Sequence, residues 1–78
     1  MDNSREIENF LHNIIYLRRQ NGLSKQEMAR KLGISLHSLN QIEAGIMPPR
    51  LKISIVYAVY RHFGIRPSAL VSRKIDLA

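Results

Sequence analysis

An all-α fold, a compact bundle of four to five helices, is predicted by three observations on this 78-residue sequence. Apolar residues recur every three or four positions in successive segments, the period of a helix that buries one face. The segments end at glycines, namely Gly22, Gly33, Gly45 and Gly64, and glycine readily takes the left-handed conformation that closes many helices. Serines stand where two segments begin, Ser24 and Ser35, and a serine hydroxyl is a favoured acceptor at a helix N-terminus.

The first helix is expected from Asn3 to Gln20, with Ile7, Phe10, Leu11, Ile14 and Leu17 as its apolar stripe and Gly22 as its stop. Ser24 with Glu27 three positions on is a capping box, so a second helix starts there and runs through Met28, Ala29 and Leu32. Gly33 and the apolar Ile34 interrupt it. Ser35 then caps a third helix, roughly Ser35 to Ala44, buried at Leu39 and Ile42 and closed by Gly45. So few residues separate the second and third helices that they must form a tight helix–turn–helix. Pro48 and Pro49 rule out continuation and mark a loop. From Leu51 to Phe63, positions Ile53, Val56, Val59, Tyr60 and Phe63 again repeat at helical spacing, predicting a fourth helix that Gly64 ends. Its β-branched content would suit a strand, but its length and flanking helices argue for a helix. Pro67, at a first helical position where a missing N–H costs nothing, predicts a short fifth helix through Ala69, Leu70 and Val71.

A chain this short supports one domain, taken as residues 1–78 with 72–78 as a flexible tail. Without cysteine there can be neither disulfide nor thiolate-bound zinc. His12, His37 and His62 are scattered and lack a carboxylate cluster, so no metal or other cofactor is expected. No segment is apolar enough to span a membrane, and Asp2, Glu6 and Glu8 stand where a secretory signal would be basic; a cytoplasmic protein is expected. Twelve Lys and Arg oppose six Asp and Glu, a net charge of +6, which points to a polyanionic partner. Half of the bases, Arg50, Lys52, Arg61, Arg66, Arg73 and Lys74, lie in residues 50–78 against Asp76 alone. No glycine-rich phosphate loop, metal-ligand spacing or suitable pair of carboxylates is present, so catalysis is not expected.

The run Leu23-Ser24-Lys25-Gln26-Glu27-Met28-Ala29-Arg30-Lys31-Leu32-Gly33-Ile34-Ser35, followed by Leu39-Asn40-Gln41-Ile42-Glu43-Ala44-Gly45, resembles the helix–turn–helix of the lambda repressor and Cro family. The resemblance covers about residues 10 to 71, because Ile53, Val56, Val59, Phe63, Gly64 and Ile65 also look like that family's fourth helix and following turn. It implies a bundle of four or five helices, DNA binding and usually transcriptional regulation; sequence-specific binding of double-stranded DNA by a repressor is the expectation. The residue types make physical sense: Ala29 permits close approach of two helices, Gly33 supplies a positive φ, and Ile34, Leu39 and Ile42 fill the angle between them.

Removing the buried stripe from the third helix leaves Leu36, His37, Asn40 and Gln41 facing outward as the candidate base-reading residues. Asn and Gln can pair bidentately with adenine, and His can donate to guanine or a phosphate. Leu36 departs from the usual polar residue and suits a thymine methyl or a protein contact. Candidate backbone contacts are Ser24, Lys25 and Gln26 at the start of the second helix, Ser35 and Ser38 on the third, and Arg50 and Lys52 before the fourth. Arg18 and Glu43 match family positions that form an ion pair from the first helix to the third, a structural role. A homodimer is expected; Phe63, Ile65, Leu70, Val71 and Ile75 either form the surface between copies or complete the core, and no small-molecule ligand is evident. The competing class is a protein-interaction or antitoxin-like module on the same fold, which Leu36 and the aromatics Tyr57 and Tyr60 would favour.

Overall fold

Caps written in the sequence set most of the helix boundaries. The computed structural model describes residues 4–47 and 53–75, which form five α-helices and, among these residues, no strand. They are α1 (Ser4–Gln20), α2 (Lys25–Leu32), α3 (Leu36–Glu43), α4 (Ile53–Phe63) and α5 (Pro67–Ser72). The first three close in the same way. The N–H groups of Gly22 and Leu23 reach back to the carbonyls of Arg19 and Arg18, those of Gly33 and Ile34 to Arg30 and Ala29, and those of Gly45 and Ile46 to Ile42 and Gln41, all at 2.8–3.2 Å. Each pair satisfies carbonyls that the helix itself leaves unbonded. At Gly33, φ is +70° and a Cβ would meet nothing within 4 Å, so the glycine is needed for its backbone conformation and not for space.

Every helix contributes to one core: Phe10, Ile14 and Leu17 of α1, Met28, Ala29 and Leu32 of α2, Leu39 and Ile42 of α3, Ile55 and Val59 of α4, and Leu70 of α5. Helix α1 packs against α3 and α5, α2 against α3 and α4, and α4 against α5. Ala29 is buried where α2 meets the core, as its small size implied.

Three expectations are corrected by the structure. On α4, Ile53 and Tyr60 are exposed, and Ile55 with Val59 forms the buried face instead. That helix is apolar over most of its circumference, so its period could not choose the inward face, and the position of its neighbours did. On α1, Ile7 is exposed, whereas Asn9 and Asn13 are buried. The stretch expected to be loose from residue 72 is fastened as far as Ile75, which is buried. The Asn13 amide donates to the carbonyls of Leu70 at 2.6 Å and Arg73 at 2.9 Å, and its Oδ1 accepts from the Ile75 N–H at 2.7 Å. Asn9 adds a bond to the Val71 carbonyl at 2.9 Å. One side chain therefore replaces the helix carbonyls and N–H groups that the chain loses as α5 ends. Of the residues weighed between a surface between copies and the core, Leu70 and Ile75 are buried within the protomer, and Phe63, Ile65 and Val71 pack partly against the same core.

Candidate nucleic-acid interface

Two helix N-termini and one helix face make up the candidate site. Ser24 caps α2 by accepting from the Glu27 N–H at 3.1 Å, while the Glu27 carboxylate accepts from the Ser24 N–H at 3.0 Å. The bond from the Ser24 N–H, and next the Ser24 hydroxyl, hold the Glu27 carboxyl below its ordinary value, and the charges of Arg30 and Lys31 act in the same sense. Ser35 caps α3 by accepting from the Ser38 N–H at 3.0 Å, and the two serine hydroxyls lie 3.1 Å apart. Both capping hydroxyls are thus already engaged. What the helix starts offer to an anion is backbone: the first-turn N–H groups of Lys25 and Gln26 on α2, and of Leu36 and His37 on α3, which no helical carbonyl can reach.

Leu39 and Ile42 are buried completely, and this orients α3. At 100° per residue, Leu36, Asn40, His37 and Gln41 then fall on one continuous outward arc. Leu36, His37 and Asn40 are exposed and Gln41 is half-buried. Ser38 lies at the edge of the arc, half-buried and turned to Ser35. Lys25 and Gln26 are exposed at the start of α2. Arg50 and Lys52 lie outside the described residues.

The far end of α3 is anchored by Glu43. Its carboxylate accepts from Arg18 Nε at 2.6 Å and from a second guanidinium nitrogen at 3.1 Å, while the third nitrogen donates to the Leu23 carbonyl at 3.1 Å. The two side chains are only 17% and 10% exposed, so removing one partner strands a charge in a poorly solvated place, at a cost of about 3 kcal/mol. The pair ties α1, the turn before α2 and the end of α3 together, and so fixes the angle at which the outward arc is presented.

Two groups escaped the sequence reading. Asn13 interrupts the spacing of Phe10, Ile14 and Leu17, and a polar residue inside an apolar stripe was the available signal for its bonding role. The second is a cleft between α2 and α4 lined by Arg30, Lys31, Ser54, Tyr57, Arg61 and His62; its members come from segments too distant in sequence for any local pattern to unite them. Among the described residues there is no cluster of side chains that could hold a metal ion, and no helix is long and apolar enough to cross a membrane.

A family model described as a helix-turn-helix domain matches residues 6–74, nearly the whole chain. Neither a curated protein nor a solved structure matches it.

Proposed function

The chain belongs to this helix-turn-helix family, a DNA-binding fold, and from that premise we propose that it binds double-stranded DNA sequence-specifically and acts as a transcriptional repressor. The observation that carries the reading is the outward arc of α3, with His37, Asn40 and Gln41 on it, on a helix whose own first turn has open N–H groups. A rigid polar helix face suits the major groove, where Asn and Gln can each make two bonds to adenine and His one to guanine. Leu36, 40% exposed, meets a thymine methyl. The N–H groups of Lys25 and Gln26, with the Lys25 ammonium, hold a phosphate beside the groove and set the register; Ser24, Ser35 and Ser38 shape these helix starts, and Arg50 and Lys52 supply further phosphate contacts. Two copies bind together on a palindromic site, with recognition helices about 34 Å apart.

The test is selection from a pool of random duplexes, followed by binding at two salt concentrations. A short palindrome should be enriched, and affinity should fall steeply with salt as condensed counterions are released. Failure to enrich any sequence would overturn the reading.

A further inference from the structure

Helix α4 presents a second outward face of different chemistry. Ile53, Tyr57 and Tyr60 are 71%, 57% and 54% exposed. Spaced at i, i+4 and i+7, they form one stripe about 10 Å long. Along one side runs the cleft to α2, whose rim carries Arg30, Lys31, Arg61 and His62, with Tyr57 shared between stripe and cleft. No ion pair closes on any of these four among the described residues. Glu27, on which the charges of Arg30 and Lys31 act, is engaged in the cap of α2.

We propose that this face docks an acidic amphipathic helix of a partner protein, its apolar residues on the Ile53–Tyr57–Tyr60 stripe and its carboxylates over the basic cleft. The inference goes beyond the DNA reading and does not depend on it. The chemistry of the surface selects this occupant. A nucleic-acid backbone would satisfy the cations but would leave Ile53 and Tyr60 with nothing apolar to meet. A second copy is disfavoured on charge: a two-fold interface repeats the same basic patch in both copies, and each copy brings a net charge of +6. Among the described residues its carboxylates are few: Glu43 is held by Arg18 and Glu27 by the cap, Glu8 lies in an exposed pair with Lys74, and Glu6 remains. An acidic helix with apolar anchors at i, i+4 and i+7 matches both halves of the surface, in the manner of helix-in-groove recognition.

The probe is a synthetic helix-favouring peptide of about 15 residues, with Leu at i, i+4 and i+7 flanked by Glu. Its controls are a scrambled peptide of the same composition and a peptide with Lys in place of Glu. Titrated into the full chain, the acidic amphipathic peptide should shift amide resonances at the end of α2 and along α4, and the controls should not. Arg61→Glu and Tyr57→Ser should each weaken it by roughly tenfold or more, with circular dichroism melts confirming that the variants stay folded. Equal binding of the scrambled peptide would reduce the surface to unspecific charge and overturn the proposal. Displacement of the peptide by a random-sequence duplex through the same resonances would assign the cleft to DNA, and loss of a dimer in Tyr57→Ser on sedimentation would assign the stripe to a second copy; either overturns it as well.

Discussion

Helices α3 and α4 each turn one face outward, and the two faces have little chemistry in common. On α3 the outward arc is His37, Asn40 and the half-buried Gln41 with a single apolar residue, Leu36. On α4 it is Ile53, Tyr57 and Tyr60 bordered by cations. The first offers directional donors and acceptors on a helix held at both ends, by the Ser35 cap and by the Arg18–Glu43 pair. The second offers apolar area and undirected charge. A surface that discriminates by hydrogen-bond pattern needs a rigid frame, because a displaced donor loses its bond. A surface that works by burial and charge tolerates displacement.

That contrast can be broken most forcefully through the frame. Leu39→Ala empties the space on which α3 seats and should cost about 2 to 5 kcal/mol, read from denaturant unfolding; a smaller loss would mean that α3 is not seated by this residue. Next in size is Asn13→Ala, which leaves the Ile75 N–H and the Leu70 and Arg73 carbonyls without their partner. It should cost about 3 kcal/mol and speed amide exchange at residues 73–75. Unchanged exchange there would deny Asn13 its role.

The outward arc itself should behave differently. Gln41→Ala and His37→Ala should each reduce discrimination at one base pair by about 1 to 3 kcal/mol while leaving the unfolding midpoint nearly unchanged; uniform weakening on every sequence would make these residues backbone contacts. The smallest effect concerns Glu27. Its carboxyl is held below the ordinary value in the folded chain, so its contribution is fully present above the unfolded carboxylate value and is lost as pH falls through the folded one. The stability advantage of the wild type over Glu27→Gln should therefore shrink on acidification through the lower carboxylate range. An advantage independent of pH would mean that the charge of the cap contributes nothing.

Residues 24 to 45 were legible because their signals are local. Ser24 with Glu27, Gly33 with Ile34, Ser35 and Gly45 with Ile46 each act through bonds to backbone a few residues away. A reader of the sequence can place such bonds without knowing where the rest of the chain lies. The buried positions Leu39 and Ile42 followed from period alone, since the other side of α3 is polar and only one face could go inward.

Elsewhere the sequence left the choice open. The apolar residues of α4 nearly encircle it, so several rotations satisfy the same pattern, and contact with α2 and α5 selected Ile55 and Val59. The segment after α5 has no periodicity, yet it is held by Asn13, some sixty positions earlier. The basic cleft joins α2 to α4 across a similar gap in kind, made by packing and not by spacing. Sequence by itself determined the helices, their ends and the outward arc of α3, because caps and amphipathic periods are short-range. Tertiary structure alone decided which face of α4 is buried, where the chain's end is tied and which charges become neighbours, because those depend on contacts between residues far apart in the chain.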